Sequence, residues 1–302
     1  MKDSMILTDW MGLPPGMEAP GALYVLGDVH GAAHLLAPIL DWIGAEAFGD
    51  DAESDLVFLG DLIDRGAEGL RCLKLATGRI PGVRTTILPG NHEIAMLRFL
   101  AGHQGAWDSW RSKGAESVVA EVHDLDQPVS GRELRRLVRA AMPLGFERRL
   151  LAGPTCTRHG SFLMLHAGVD PAAPAPENWL QTGLFEGDPT RHWSTITDDF
   201  NSWTGGWENY GAGAVVHGHM PIMDAGWTEA VRTAHERLFS HRRLTLDFGC
   251  GFLDRLGGAQ IRGSRIRYFG CGTGAAATPK ARPTLRLLAE GCQAACELRK
   301  AS

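Results

Sequence analysis

Ala22-Leu23-Tyr24-Val25-Leu26-Gly27-Asp28-Val29-His30-Gly31 is the stretch from which the rest of the chain can be read. A short apolar run reads as a buried strand, and the glycine and aspartate that end it read as a sharp turn off a sheet. The pattern recurs. Asp55-Leu56-Val57-Phe58-Leu59 runs into Gly60-Asp61-Leu62-Ile63-Asp64-Arg65-Gly66, and residues 83–89 run into Gly90-Asn91-His92-Glu93. Further on, residues 162–165 lead to His166-Ala167-Gly168, residues 214–216 lead to His217-Gly218-His219, and residues 244–251 (LTLDFGCG) close the series. Helical stretches around 34–42, 69–78 and 93–102 separate the early strands; the last has apolar residues at helical spacing. Strand and helix in alternation, with strands returning later, predict an α/β layered fold with at least one central sheet.

Around this frame, residues 1–20 read as an extended lead-in, 21–270 as the main domain and 103–145 as a more polar helical insertion. Residues 171–210 are rich in Pro and Trp and read as long loops with short helices. Residues 271–302 read as a low-complexity tail with one short helix over 284–300. Of the 302 residues, 44% are hydrophobic and 22% charged, which excludes wholesale disorder and leaves one large domain or two small ones. A net charge of -5 argues against nucleic acid held by a general basic field. No apolar stretch has the length of a membrane span, and the first twenty residues lack a signal-peptide core. Six cysteines without a Cys-x-x-Cys pair do not form a disulfide framework or a zinc-finger set. The expectation is a soluble, cytoplasmic protein with neither a nucleic-acid nor a membrane partner.

The five polar motifs each stand at the carboxyl end of a strand-like run, where sites form in open α/β sheets. Each has an ordinary reading by itself. Asn91 fits a helix N-cap with Glu93 in the first turn, and His166 alone fits a satisfied core histidine. Together, aspartates, an asparagine and histidines without thiolate suit divalent manganese, iron or zinc. Two such ions about 3.5–4 Å apart need a bridging carboxylate and clamp a displacement at phosphorus from both sides. Arg65 adds a bidentate donor for phosphate oxygens.

The ordered set GDVHG, GDLIDRG, GNHE, His-Ala-Gly and Gly-His-x-Pro resembles the calcineurin-like metallophosphoesterase superfamily, and within it the phosphoprotein phosphatases and their bacterial members. The resemblance spans about residues 22–250. It implies an α/β/β/α sandwich of two packed mixed sheets and two divalent metal ions, manganese first among iron, zinc and nickel. It assigns Asp28 and His30 to the first metal, Asp61 to both, and Asn91, His166 and His219 to the second. His92 matches the general acid, Asp64 its orienting partner and Arg65 a phosphate clamp. The implied nucleophile is a hydroxide bridging the metals.

Substrate contacts are expected from Arg65, Asn91 and Arg191. Arg191 enters because the Ile-Arg-x-x-Phe segment of bacterial relatives reads Ile196-Thr197-Asp198-Asp199-Phe200 here. Pro221 follows His219 at the place where other members carry a second ligand histidine, which leaves His217 a packing role. Asp64-Arg65 and Glu93 point to a serine/threonine phosphoprotein as substrate. The alternative is a bis(5'-nucleosyl)-tetraphosphatase, whose bacterial forms usually have Ala-Arg and Gly-Asn-His-Asp in those motifs. Most tryptophans are expected to pack under long loops, with Trp193, Trp203 and Trp207 as candidates to stack a purine.

Overall fold

The computed structural model describes residues 5–49, 53–224, 226–273, 285 and 287–288. In chain order, β1 (Ile6–Leu7), β2 (Met11–Gly12) and β3 (Ala19–Leu26) are followed by α1 (Ala33–Phe48), β4 (Ser54–Phe58), α2 (Gly69–Ala76), β5 (Val83–Ile87) and α3 (Asn91–Leu100). A helical stretch holds α4 (Ala106–Arg111), α5 (Glu116–Val119), β6 (Val129–Ser130), α6 (Gly131–Ala141) and α7 (Phe146–Ala152). Then come β7 (Cys156–His159), β8 (Phe162–Leu165), α8 (Pro176–Leu180), α9 (Asp198–Ser202) and β9 (Ala214–His217). The series ends with α10 (Gly226–His241), β10 (Arg243–Thr245), β11 (Leu256–Gly263), β12 (Arg265–Cys271) and β13 (Leu287–Leu288).

These strands form two sheets. The larger runs β1-β12-β11-β3-β4-β5, with β2 also on β12; the smaller runs β10-β9-β8-β7. In the larger sheet β3, β4 and β5 are parallel, while β11 and β12 join antiparallel, so the sheet is mixed. The smaller sheet is mixed too, with β8, β9 and β10 parallel and β7 antiparallel.

Period-two alternation decides the layers. On β3, Tyr24 and Leu26 face the helices and join Ile39, Phe99 and Trp110, whereas Leu23 and Val25 meet Phe162, Met164 and Val216 of the other sheet. On β8 the alternate residues, Leu163 and Leu165, pack outward under Trp193, Phe200, Trp207 and Tyr210. Each such buried side chain contributes about 1.5–3 kcal/mol by leaving water.

The lead-in is tied into the larger sheet, because Ile6 pairs with Gly270 and Met11 with Ile266. The helical stretch packs into the main core, where Trp110, Val118, Leu134, Val138, Phe146 and Leu150 join the cluster that covers β3 and β4. Most of the helix expected over 284–300 lies outside the described residues; among those described, Leu287–Leu288 form a strand beside Val129–Ser130 instead of a helix.

Candidate metal centre

The turns after β3, β4 and β9 carry polar residues in a conformation that side chains usually avoid. Among the described residues, the non-glycine positions with positive φ are His30 (45°), Asp61 (51°), Asp64 (69°), Arg65 (63°), His219 (64°) and Arg242 (53°), and all but the last belong to the expected site. Each costs of order 1–3 kcal/mol and persists where surrounding contacts over-determine it. Glu93 supplies many of those contacts. Its Oε2 accepts from the backbone N–H of Asp61 at 2.8 Å and of Gly90 at 2.9 Å, and its Oε1 from Leu62 at 2.8 Å and Ile63 at 3.3 Å. Glycine then lets the turns close on one another. A Cβ on Gly90 would stand 2.1 Å from Asp61 Oδ1, and one on Gly218 would stand 2.1 Å from Asp28 Oδ1.

The convergence is dense. His30, Asp61 and His92 bring ligand atoms within 4.8 Å of one another, and so do Asp61, His166 and His219. Asp61 is common to both groups, as a bridging carboxylate must be. His30 Nε2 lies 3.8 Å from Asp61 Oδ2 and 3.9 Å from Asp28 Oδ2; His166 Nε2 lies 3.4 Å from Asp61 Oδ1. The far sides of two rings are anchored, His30 Nδ1–H on Ile63 O (3.1 Å) and His166 Nδ1–H on Leu59 O (2.9 Å), so each turns Nε2 inward. Asp28 accepts the backbone N–H of His219 on both oxygens at 3.1 Å.

Asn91 tests whether a cation fits. With its amide oxygen inward, that oxygen stands 3.0 Å from His166 Nε2 and 3.1 Å from His219 Nδ1. With the amide turned over, its nitrogen donates to both rings and to Asp61 Oδ2 at 3.1 Å, and its oxygen accepts from Lys113 Nζ at 2.9 Å. The first orientation gathers lone pairs that need a cation among them. The second satisfies the cluster without one. The donor set thus fits divalent metal ions, with Asp28, His30 and Asp61 placed to hold one and Asp61, Asn91, His166 and His219 the other.

Charge follows the same logic. Burial pushes His30 down to about 4 and His219 to about 3, so both rings stay neutral with a lone pair available. Burial would raise Asp61, but His166, His92 and His30 outweigh it and hold the carboxyl well below its usual range. Burial, then Asp247 and Asp61, push Asp28 well above that range. Asp247 itself rises to about 6 on burial. Asp28, Asp61, Asp64, Glu93 and Asp247 are all buried, a density of carboxylates that calls for compensating positive charge.

His92 faces Asp61 with Nε2 at 3.7 Å and Asp64 with Nδ1 at 2.8 Å. Trp110 Nε1 donates to both oxygens of Asp64, at 3.1 and 3.0 Å. The two residues expected as acid and orienting partner are therefore in contact, and Trp110 of α4 joins them. Burial lowers His92 well below the ordinary imidazole value, while burial and Glu93 raise Asp64. By distance alone His92 also qualifies as a ligand.

Other expected residues land elsewhere. Arg191 donates to Asp170 (2.6 Å to each oxygen from Nη2, 3.0 Å from Nε) and to Asp199 (3.1 Å), so its guanidinium is already held by two carboxylates. Its expected contact with substrate would have to compete with these two partners. Trp193 and Trp207 are fully buried and donate to Thr182 O and Arg242 O, so neither presents a face to a purine. Trp203 is 40% exposed. His217 is buried between Thr245 Oγ1 (2.9 Å) and Phe200, the packing role expected for it. Asn91 is the first helical residue, with Gly90 as N-cap, which frees its amide for the cluster.

Sequence reading missed Trp110, Lys113, Asp247 and Phe252. Asp247 carried a signal, since it ends a strand-like run ahead of Phe248 and Gly249. Phe252 lies 4.3 Å from the Arg65 guanidinium and is 44% exposed.

With the geometry in hand, comparison with known proteins gives a consistent picture. A symmetrical bis(5'-nucleosyl)-tetraphosphatase of Methylococcus capsulatus is 29% identical over 174 residues, 56% of this chain. The chain spans about half of that relative's length, 52%. An asymmetrical bis(5'-nucleosyl)-tetraphosphatase, PrpE of Oceanobacillus iheyensis, is 22% identical over 244 residues, covering 77% of this chain and 85% of its own. A solved cold-active protein tyrosine phosphatase shares the fold at TM-score 0.52 and 16% identity, over 84% of this chain and 80% of that one. The calcineurin-like phosphoesterase profile matches residues 22–223, which include every residue of the cluster apart from Asp247, and the chain belongs to that family of metal-dependent hydrolases.

Proposed function

We propose that the chain hydrolyses bis(5'-nucleosyl) polyphosphates at the metal centre. The observation that carries this reading is Phe252. Its exposed ring lies against Arg65, so an aromatic face adjoins a phosphate-binding guanidinium beside His30. A Cβ on the neighbouring Gly251 would stand 2.9 Å from Arg65 Cδ and 3.1 Å from His30 Cβ, which fixes the ring's loop at the edge of the cluster. A base stacked there would bring its phosphate chain to Arg65. The names of the curated relatives point the same way.

The sequence argument for a phosphoprotein rested on Asp64 and Glu93, and both side chains are committed to partners within the protein. Asp64 is enclosed by His92 and Trp110, and Glu93 by backbone N–H groups. Neither discriminates a serine from a nucleotide.

In the reaction, divalent metal ions supply the charge that lowers the pKa of an attacking water and stabilises the phosphoryl oxygens. The chain's own part is positional. Arg65 would orient the phosphate, and His92 Nε2, left unprotonated at rest by burial, would pass the proton released by the attacking water to the departing oxygen. Asp64, held by Trp110, fixes His92 Nδ1–H and so aims that proton.

The test is kcat/KM for diadenosine tetraphosphate, a phosphopeptide and a bis-aryl phosphate diester, in wild type and Phe252→Ala. The dinucleotide should be preferred, and loss of one stacking face should cost it about 5- to 150-fold while sparing the peptide. Trp193→Ala and Trp207→Ala should reduce all substrates together, through packing. A higher kcat/KM for phosphopeptide would return the protein-phosphatase reading to first place.

A further inference from the structure

Lys113 follows α4 and reaches back to the cluster, its Nζ 2.9 Å from the Asn91 amide oxygen when the amide nitrogen points inward. Its neighbour Gly114 packs on the second site loop. A Cβ there would stand 3.3 Å from Arg65 N and 3.7 Å from Arg65 Cγ, at a φ of +98°. The same short segment carries Trp110, which donates to Asp64. Three successive contacts therefore dock the end of α4 on Asp64, Arg65 and Asn91.

When a cation draws the Asn91 oxygen inward, the amide nitrogen swings toward Lys113. Two donors, an amide NH2 and an ammonium, then face each other where one hydrogen bond stood. An ammonium beside two divalent cations is repelled as well. Both conflicts disappear if an anion with several acceptor oxygens lies between them. Arg65 stands on the loop against which Gly114, the neighbour of Lys113, packs. Thr197 brings no charge, and Arg191 is held by Asp170 and Asp199.

We propose that Lys113 is a phosphate-binding residue, the second cation after Arg65 to hold the substrate's phosphate group. The proposal rests on the hydrolase reading above and deepens it. Lys113 acts as a point charge with rotatable donors, so it suits a phosphate chain of variable geometry better than a fixed guanidinium fork does. It also gives the helical stretch between α3 and β7 a role in the reaction.

The experiment is calorimetric binding of inorganic phosphate to metal-loaded wild type, Lys113→Met and Lys113→Arg, with metal affinity measured on each. Lys113→Met should weaken phosphate binding by about 10- to 100-fold, the loss of one charge-assisted hydrogen bond, with metal affinity unchanged. Lys113→Arg should recover most of it. Equal phosphate affinity in Lys113→Met and wild type would overturn the proposal. A loss of metal affinity in Lys113→Met would overturn it too, since the lysine would then serve only to hold Asn91 or to neutralise carboxylates. A wild type that takes up metal but binds no phosphate would instead overturn the hydrolase reading itself.

Discussion

At the scale of single residues, His92 holds Nε2 3.7 Å from Asp61, within reach of a ligand's role or an acid's. The two roles separate in kinetics. As the acid, His92→Asn should lower kcat by about 10²–10⁴-fold with both metals retained, and the loss should shrink for aryl phosphates, whose leaving groups need little protonation. Trp110 sharpens the test, because its indole N–H donates to Asp64, which in turn holds His92. Trp110→Phe should cost about 10-fold in kcat in the wild-type background and almost nothing once His92 is gone. Additive losses, or metal release from His92→Asn, would make His92 a ligand. The residues of this chemistry divide cleanly by legibility. Asp28, His30, Asp61, Asn91, His166 and His219 stood at strand ends beside glycine, so their positions could be read from the chain. Trp110 and Lys113 sit at the end of a polar helix with no such mark, and tertiary docking alone brings them in.

Among elements, the loop from Asp61 to Ile63 and the start of α3 behave as one unit joined by Glu93. The sequence showed Glu93 as a helix-start acid, and it does bind the Gly90 N–H, but its greater use is across the site. Glu93→Gln keeps the shape and replaces one acceptor oxygen by an NH2 that opposes backbone donors. The change should cost about 1–3 kcal/mol in denaturant unfolding and weaken metal binding through the Asp61 turn. A variant as stable as wild type would mean that the left-handed turns hold themselves. The strands were legible because burial on both faces leaves near-continuous apolar runs. The long stretch from 171 to 210 was not, since its order comes from contacts such as Trp193 to Thr182 and Tyr210 to Asp170 that no local pattern announces. The pairing of Arg191 with Asp170 and Asp199 was hidden for the same reason: nearness along the chain says little about which carboxylate a long side chain will meet.

On the scale of the whole molecule, β3, β4 and β5 of one sheet and β8 and β9 of the other deliver their following turns to one place. That place collects Asp28, Asp61, Asp64, Glu93 and Asp247, all buried, beside His30 and His219, which burial keeps neutral. Such a concentration of carboxylates destabilises the fold unless positive charge joins it. Divalent ions bind the folded arrangement and not the unfolded chain, so at a hundredfold excess over Kd each should add about 2.7 kcal/mol of stability. For a domain of this size that is about 5–10 °C in Tm per ion. Metal-stripped protein should therefore melt earlier than protein resupplied with manganese, nickel or zinc, and the order of the ions should reveal which the site prefers. Asp61→Asn is the decisive control. It removes the carboxylate common to both groups, so it should abolish turnover and most of the metal-induced rise in Tm, while the stripped variant melts no earlier than stripped wild type, being relieved of one buried charge. An equal rise in the variant would show that the stabilising ions bind elsewhere and that Asp61 does not bridge them.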